Sequence, residues 1–575
     1  MASLRSIGLE KIIIDLIKKG DATPDFLAIL KRKTAKKHKD QFVTHSELIK
    51  AYHKLIKNET IAKNEKLETI LRRRQIRTLS GVAVITVLTK PHSCPGQCLF
   101  CPAEKGMPKS YLKNEPAANR AFLTKFNPYA QVKVRLKALQ DNGHPTDKIE
   151  LIVLGGTWSA YPKNYQYWFI KECFRAANNF NKKNPPQPSL KGGSASPPLR
   201  EAKGDLKHQQ KKNESAKNRI IGLTLETRPD CINLSEIKTM RDLGCTRVEL
   251  GAQSVFDDVL KQNRRGHSVA DTILATQLLK NAGFKINYHI MLNLPGSDLK
   301  RDEEVFRQLF SNQDFQPDLL KIYPCAVLKT APLFKVWRKG NYKPYTEKEL
   351  VNLLIKIKKM IPPYVRIQRI IRDIPTGSIV AGSKISNLRQ LIEESGKKEC
   401  HCIRCREIRG QYSTKEKIKL FRQDYQASGG QEIFLSFASP DQKKLYALLR
   451  LRISKNYKNK IPPNLPLKRE GQNYSPSFLK EGRGGFNNAD ILPVLQDAAL
   501  IRELHTYGQL INLGQKSNKK TQHMGLGKKL MLEAEKIAKK EFGYKKIAVI
   551  SGVGVRGYYQ KLGYRLKDSY MIKSL

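Results

Sequence analysis

The sequence predicts an α/β protein with a partial (β/α) barrel, a smaller C-terminal α/β domain and a basic helical module ahead of both. Three observations lead to this prediction. Short β-rich runs alternate with helical stretches from residue 81 onward, a second alternation begins near residue 431, and the first 78 residues have helical periodicity. The chain of 575 residues has room for about two to four domains at roughly 100–200 residues each.

The charge balance is strongly basic. Lys and Arg number 105 against 52 Asp and Glu, which gives a formal net charge of +53. A small-molecule enzyme rarely carries such an excess, so a polyanion, most of all nucleic acid, is the expected partner. A lineage with a generally basic proteome is the alternative explanation.

The sequence predicts no membrane contact and a cytoplasmic location. No stretch approaches about 18 uninterrupted apolar residues, and the N-terminus lacks the apolar core of a signal peptide. Six of the ten cysteines fall into two tight clusters. In a reduced cytosolic protein such clusters indicate metal ligation and not a disulfide framework.

The predicted helical module covers residues 1–78. Apolar residues recur there at helical spacing, and basic runs lie at residues 31–33 and 72–74. Because the basic runs repeat on successive helices, we predict contact with a nucleic-acid backbone. A plain solvated face is the alternative.

Residues 79–395 form the predicted barrel domain, in which loops at the C-terminal ends of the strands carry the chemistry. Two segments interrupt the alternation, one at about 184–217 and one at about 456–489. Both are rich in Pro, Gly, Ser and Lys and lack periodicity. We predict that both are disordered surface insertions, with an ordered RNA-binding loop as the alternative.

The first chemical motif is a C-x3-C-x2-C pattern just after the first predicted strand, formed by Cys94, Cys98 and Cys101. Three thiolates on one short loop suit three irons of a [4Fe-4S] cluster and leave the fourth iron open, usually for S-adenosylmethionine (SAM). A structural zinc site without its fourth ligand is the alternative. This position in a βα repeat is typical of a radical-SAM barrel. The second strand ends in small residues that let the backbone approach the amino-acid part of SAM, namely Gly155, Gly156 and Thr157.

The second chemical motif is a Q-x-x-G-x-G loop that opens a C-terminal amphipathic helix, from Gln522 to Gly527. It is typical of acetyltransferases of the GNAT type, in which backbone N–H groups at the helix N-terminus meet the coenzyme A pyrophosphate. Alone the loop is weak evidence, but it lies between a strand and a downstream Tyr558-Tyr559 pair at the spacing of an acyl-CoA fold. We predict that Tyr559 lies near the acyl-CoA, and core packing is the alternative for either tyrosine.

A radical-SAM motif and an acetyltransferase loop in one chain resemble the catalytic subunit of Elongator and its single-chain bacterial and archaeal members. The resemblance covers nearly the whole chain apart from the two insertions. The stretches that carry it include PHSCPGQCLFCP, LTLETRPDCINLSEI, CHCIRCREIRG, RELHTYG and VISGVGVRGYYQKLGY.

The resemblance implies a tRNA uridine(34) acetyltransferase. Such an enzyme uses a SAM-derived 5′-deoxyadenosyl radical and acetyl-CoA to carboxymethylate C5 of the wobble uridine, which gives 5-carboxymethyluridine. The implied partners are acetyl-CoA and the anticodon stem-loop of tRNA, and a homodimer stays open. The rival interpretations are a protein lysine acetyltransferase that uses the C-terminal lobe alone, and a non-catalytic RNA-binding scaffold.

The resemblance also assigns site residues. Lys148 matches a family lysine that contacts acetyl-CoA near the barrel, although a lysine before a strand is more often plain surface. With Tyr558 and Tyr559 it makes up the predicted catalytic set. The remaining acetyl-CoA positions match family backbone contacts or belong to the glycine loop: Glu503, Leu504, His505, Thr506, Gln522, Gly525, Leu526, Gly527 and Lys528.

The second cysteine cluster lies in a predicted zinc-binding linker at 396–430, ahead of the GNAT domain at 431–575. Thiolates as closely spaced as Cys400, Cys402 and Cys405 fit a small structural zinc knot. The fourth ligand stays open between His401 and a distant residue. A reduced, metal-free loop is the alternative.

We expect Cys98→Ala to abolish 5-carboxymethyluridine formation while tRNA binding survives, because a cluster ligand is lost and no RNA contact is removed. Nucleoside mass spectrometry and a gel-shift assay measure the two effects. Modification that persists in this variant would contradict the radical chemistry.

Overall fold

The computed structural model describes most of the chain, and two seven-stranded sheets form its body. The described residues are 2–37, 43–72, 81–182, 198–394, 399–409, 416–454, 492–507 and 525–575. Within them no helix is long and apolar enough to cross a membrane.

The described part of the N-terminal module forms four helices around a small apolar core. They are α1 (Ala2–Lys18), α2 (Pro24–Lys37), α3 (His45–Lys57) and α4 (Glu65–Leu71). Ile13, Leu48 and Leu71 are fully buried between them. A capping box at the start of α3 joins the side chains and backbones of Thr44 and Glu47, which satisfies N–H groups that a helix end leaves unpaired.

The first sheet is an open, all-parallel half-barrel whose strands follow chain order. Its strands are β1 (Ala83–Leu88), β2 (Lys148–Leu154), β3 (Arg219–Thr227), β4 (Arg247–Gln253), β5 (Lys285–Leu292), β6 (Leu319–Pro324) and β8 (Arg366–Arg369). A separate antiparallel pair is formed by β7 (Val327–Leu328) and β9 (Ile379–Ala381). Because β1 and β8 are the edge strands, the predicted partial barrel is confirmed.

Helices follow and flank the strands of the half-barrel. They are α5 (Pro116–Leu123), α6 (Pro128–Asp141), α7 (Lys163–Asn179), α8 (Leu199–Asn213), α9 (Leu234–Asp242), α10 (Asp257–Gln262), α11 (Val269–Asn281), α12 (Leu299–Ser311), α13 (Leu333–Arg338), α14 (Glu347–Met360), α15 (Leu388–Glu394) and α16 (Ile403–Arg406). Alternate strand residues such as Ile85, Val87, Leu151 and Val153 are buried beneath them, as the period of two in a strand requires.

The prediction of a disordered insertion at 184–217 is wrong for its second half. Helix α8 packs there against α7 and buries Ala202 and Leu206. These two residues are four positions apart and therefore share one helix face, but the polar and Lys-rich composition around them conceals this periodicity. Residues 183–197 and the second insertion at 456–489 lie outside the described residues.

The second sheet belongs to the C-terminal lobe and has the order β10-β11-β12-β13-β14-β16-β15. Its strands are β10 (Lys419–Ala427), β11 (Gly430–Ala438), β12 (Leu445–Ser454), β13 (Ala498–Thr506), β14 (Lys546–Val549), β15 (Arg565–Lys567) and β16 (Tyr570–Ser574). Its helices are α17 (Leu526–Lys540) and α18 (Arg556–Gln560). Because β10 pairs along its whole length with β11, the predicted domain start at 431 is too late. The first strand lies in the segment assigned to the zinc linker.

The two lobes meet through buried ion pairs that we call the interlobe ion network. Its members are Lys280, Asp318, Glu432, Arg450, Arg452 and Arg502. Arg502 lies on β13 and donates to the carboxylates of Asp318 at 2.9 Å and Glu432 at 3.0 Å. Asp318 lies just before β6. Burial acts to raise the pKa of Asp318, but the nearby guanidinium of Arg502 holds it well below its usual range.

We expect Arg502→Met to lower the free energy of unfolding by about 3–5 kcal/mol, because it leaves two buried carboxylates short of a cation. Urea unfolding of the full chain measures the loss. The matched control is Arg422→Met, which breaks half-exposed pairs with Asp424 and Glu541 and should cost less than about 1 kcal/mol. Equal losses in the two variants would contradict a special role for the network.

Candidate active site

The first cysteine cluster lies on the loop that follows β1, and its three cysteines contact different residues. The thiols of Cys98 and Cys101 are hydrogen-bonded to each other. The Cys94 Sγ lies 3.4 Å from the Thr157 Oγ1, so this cysteine meets the turn after β2. Each cysteine of such a loop binds a different iron of a cubane cluster, and mutual contact of all three sulfurs is not needed.

A buried guanidinium stands against the cysteine loop. Arg265 Nη1 donates to the Cys98 Sγ at 3.1 Å, and Arg265 Nη2 donates to the Gly251 carbonyl at 2.6 Å. The hydrogen bond from Cys101 lowers the pKa of Cys98 to about 5; burial opposes this shift and Arg265 and Arg228 assist it. A thiolate is the form that ligates iron. The same hydrogen bond raises the pKa of Cys101, so the fit to a [4Fe-4S] cluster rests on the position of the three cysteines, which lie on one loop and line one cavity.

Sequence reasoning missed both arginines that lie beside this loop, Arg228 and Arg265. Arg228 is buried, and its Nη1 has no hydrogen-bond partner among the described residues. The same Nη1 lies 2.3 Å from the position that a Cβ at Gly96 would take, so a side chain there would displace this guanidinium. The run NRRGHS around Arg265 was a visible signal, but nothing in it indicated contact with a cysteine.

The two glycines after β2 are favoured by their backbone conformation, and Gly155 also by close packing. Gly155 has a φ of 138° and Gly156 a φ of 93°, in a region that side chains rarely adopt. A Cβ at Gly155 would lie 1.8 Å from the Thr89 Oγ1. The backbone thus runs directly over the end of β1 beside the cysteine loop.

A cavity of about 690 Å³ opens beneath the cysteines and reaches across the half-barrel. All three cysteines of the loop line it, as do Gly156 and Thr157. Polar side chains from the other strands line the remainder, including Glu226, His289, Lys321, Tyr323 and Gln368. Several arginines are also among the lining residues: Arg120, Arg135, Arg369 and Arg372.

The acetyltransferase-like site is centred on the N-terminus of α17. Gly525 caps the helix in the left-handed conformation with a φ of 69°. A Cβ at Gly527 would lie 3.1 Å from the Tyr558 Oη and 3.6 Å from the Thr506 Cγ2. The fold therefore brings Gly527, Thr506 and Tyr558 together, whereas Gln522 lies outside the described residues.

The two adjacent tyrosines of α18 have different surroundings. Tyr559 is 6% exposed and packs in the core of the C-terminal lobe, where burial raises its pKa. Tyr558 is 39% exposed, with its hydroxyl beside Gly527. The expectation from the sequence favoured Tyr559 near the acyl-CoA; in the structure it is Tyr558 that adjoins the glycine loop.

Strand alternation divides residues 503–506 at the end of β13. The methyl groups of Leu504 and Thr506 lie near Gly527. Glu503 accepts from Arg450 at 2.8 Å and pairs with Lys285 of β5 at 3.4 Å. Burial opposes the shift, but these two cations lower the pKa of Glu503 to about 2.

His505 shares the orientation of Glu503, as residues two apart on a strand do. Burial lowers the pKa of His505 to about 4, so its imidazole is neutral at pH 7. Lys148 is the first residue of β2 and is partly buried, which lowers its pKa. It lies at the N-terminal edge of the half-barrel, the edge that also carries Lys285, the partner of Glu503.

The second cysteine cluster is compact. The sulfurs of Cys400, Cys402 and Cys405 all lie within 4.8 Å of one another. Hydrogen bonds from the other two thiols lower the pKa of Cys402 to about 2. The Ile403 N–H donates to the Val365 carbonyl at 2.9 Å, which holds the cluster against the segment between α14 and β8. Three such thiols suit a zinc ion that takes its fourth ligand elsewhere.

A parallel half-barrel with three cysteines after its first strand defines the chain as a radical-SAM protein, here joined to an acetyltransferase-like sheet. The model of the Radical SAM superfamily matches residues 88–309, and that of the Radical_SAM C-terminal domain matches residues 317–398. Over almost its full length, the chain belongs to the Elongator complex protein 3 family.

The similar proteins span archaea and eukaryotes. A tRNA uridine(34) acetyltransferase of Methanocaldococcus infernus is 43% identical over 91% of both chains. Elongator complex protein 3 of Schizosaccharomyces pombe is 37% identical over 89% of this chain and 88% of its own. The solved structure of the archaeal Methanocaldococcus infernus Elp3 with an N-terminal deletion has a TM-score of 0.66 at 40% identity, covering 86% of this chain and all of that one.

We expect Gly155→Ala to weaken SAM binding at least about tenfold, because a Cβ at this φ displaces the turn beside the cysteines. Isothermal titration calorimetry on the reconstituted protein measures the affinity. Gly204→Ala is the matched control, since Gly204 lies in α8 with no atom within 4 Å of the added Cβ. Unchanged affinity in Gly155→Ala would show that the turn does not serve SAM.

Proposed function

We propose that this chain modifies the wobble uridine of tRNA and uses SAM and acetyl-CoA to form 5-carboxymethyluridine. One observation carries the proposal: a single chain holds both a three-cysteine loop in a half-barrel and a glycine loop at the N-terminus of an acetyltransferase-like helix. Two similar proteins of the genus Methanocaldococcus are named tRNA uridine(34) acetyltransferase, which supports the substrate.

The chemistry explains why both sites are needed. C5 of uridine is too weak a nucleophile for simple acyl transfer, so its modification needs a radical step as well as an acyl donor. The cluster, when bound, supplies the electron that cleaves SAM. Cys94, Cys98 and Cys101 would hold that cluster, and the turn at Gly156 and Thr157 would hold the amino-acid part of SAM.

The acyl donor is assigned to the C-terminal lobe. N–H groups at the start of α17 suit the pyrophosphate of coenzyme A, and the side chains of Leu504 and Thr506 lie beside Gly527 of the same loop. Lys148 would supply a cation for the coenzyme from the half-barrel edge. Tyr558 is the tyrosine beside the glycine loop, so we assign it the contact with the thioester and assign Tyr559 to the packing behind it.

The remaining parts are assigned to RNA and to stability. The basic helices of the N-terminal module would bind the phosphates of the anticodon stem-loop, with the target base unpaired or flipped toward the cavity. A zinc ion bound by Cys400, Cys402 and Cys405 would fix the segment between the two lobes.

The test is anaerobic incubation of reconstituted protein with SAM, a reductant, acetyl-CoA and unmodified tRNA, followed by nucleoside mass spectrometry. We expect 5-carboxymethyluridine that disappears when either SAM or acetyl-CoA is omitted. Acetyl transfer to a peptide in place of any tRNA product would overturn the proposal in favour of a protein acetyltransferase.

The same assay separates the two tyrosines. We expect Tyr558→Phe to lower turnover of acetyl-CoA by about tenfold or more, because the lost hydroxyl lies at the glycine loop. Tyr559→Phe keeps the buried ring, and its turnover of acetyl-CoA should stay within about twofold of that of the wild-type protein. The reverse order would assign the thioester contact to Tyr559.

A further inference from the structure

The helix that carries Tyr558 is short, and its start is held by contacts outside the C-terminal lobe. Helix α18 has five residues, too few for a helix to be stable by itself. A 3₁₀ turn at Val553–Val555 leads into it. Val553 is buried, and its Cγ2 lies 3.2 Å from the position that a Cβ at Gly244 would take, between α9 and β4. The entry to α18 is therefore packed against the half-barrel lobe.

Arg556 opens α18 and reaches the half-barrel lobe. Its Nη1 donates to the Oε1 of Glu214 at 3.1 Å, and the two side chains are 7% and 11% exposed. Burial lowers the pKa of Arg556, and the hydrogen bond to Glu214 opposes this shift. The nearby guanidinium of Arg241 lowers the same pKa further. Glu214 therefore supplies the negative charge that a buried guanidinium needs.

Glu214 is held in place by the helix that it follows. The fully buried Asn213 ends α8 and joins it to two neighbouring elements. The Asn213 Nδ2 donates to the Asn178 Oδ1 of α7 at 2.7 Å, and the Asn213 Oδ1 accepts from the Ile220 N–H of β3 at 2.7 Å. The second carboxylate oxygen of Glu214 accepts from the Lys211 Nζ at 3.0 Å. The position of this carboxylate is thus set by the half-barrel lobe and not by α18.

Arg556 and Tyr558 leave α18 on nearly opposite sides. Residues two apart in an α-helix point about 160° apart around the helix axis. Arg556 reaches Glu214, whereas the Tyr558 hydroxyl lies 3.1 Å from the position that a Cβ at Gly527 would take. A rotation of α18 that loosened the first contact would therefore move the hydroxyl on the other side of the helix.

We propose that Glu214 is a positioning residue: through Arg556 it fixes the rotation of α18 that holds the Tyr558 hydroxyl beside Gly527. The inference rests on the proposed function for the role of Tyr558 at the thioester. Because the carboxylate belongs to the half-barrel lobe, the acyl-CoA site is complete only when the two lobes are in contact. Helix α8, in a segment whose composition predicts a loop, thereby serves the acetyltransferase-like site.

The first test is a double-mutant cycle on the turnover of acetyl-CoA by the reconstituted full-length protein with SAM, a reductant and tRNA. We expect Glu214→Ala to lower kcat about fivefold and to change KM by less than about twofold, because the start of α17 is untouched. In a Tyr558→Phe background the same substitution should lower kcat by less than about twofold, because the hydroxyl that Glu214 positions is already absent. Fully multiplicative losses would overturn the inference, since a general structural defect does not depend on that hydroxyl.

The second test follows Tyr558 without catalysis. 3-Fluorotyrosine is incorporated at position 558, and its ¹⁹F resonance is recorded in the full-length protein. We expect Glu214→Ala to shift this resonance by more than its linewidth, because α18 loses the contact that sets its rotation. The matched control is Asp205→Ala, which removes another carboxylate of α8 that pairs with Lys171 of α7 and should leave both the resonance and kcat unchanged.

The two tests separate this inference from the proposed function. An unshifted resonance together with 5-carboxymethyluridine formation would overturn the positioning role and leave the proposed function standing. A shifted resonance without any product from the wild-type protein would overturn the proposed function and keep the positioning role. If Glu214→Ala does not fold, Glu214→Gln keeps the size of the side chain without its charge, and the same outcomes decide.

Discussion

The contact of Arg502 with Asp318 and Glu432 joins the two halves of the molecule. Charges buried this deeply are costly unless each finds a partner, so the lobes can meet only in the arrangement that pairs them. The same contact sets the position of β13, and with it Glu503, Leu504 and Thr506. Both candidate sites therefore depend on one buried network, since β13 carries the residues beside Gly527 and Asp318 directly precedes β6 of the half-barrel.

Buried ion pairs also occupy the interior of the half-barrel, between the interlobe edge and the cysteines. A parallel strand buried on both faces is normally a continuous apolar run, but β4 places Arg247, Glu249 and Gln253 at alternating interior positions. Arg247 pairs with Glu150 of β2, and Glu249 pairs with Lys321. The interior is thus a stack of matched charges that runs from the interlobe edge to the cavity beneath the cysteines. Such a stack gives the cavity polar groups that ion pairs hold in place.

The glycine-rich segment before α18 shows how one sequence pattern serves two purposes. It has the spacing of an acyl-CoA fold, but Gly552 and Gly554 also pack against the backbone of β3. A Cβ at Gly552 would lie 1.9 Å from the Ile221 carbonyl oxygen, and one at Gly554 would lie 2.6 Å from the Arg219 Cβ. Side chains at these positions would separate the lobes, so the glycines also belong to the interlobe contact.

The sequence by itself determined the features that are local in the chain: the alternating strands and helices, the cysteine loop, the glycine turn after β2 and the helix that begins after Gly525. These depend on residues a few positions apart, whose spacing shows directly which face or turn they share. The tertiary structure alone decided which groups meet across the chain. Arg265 reaches Cys98 from 167 positions away, Tyr558 and not Tyr559 adjoins Gly527, and α8 occupies part of a segment whose composition indicates a loop. Such contacts depend on how whole elements pack. The periodicity within one element shows which face is buried but not which element packs against that face.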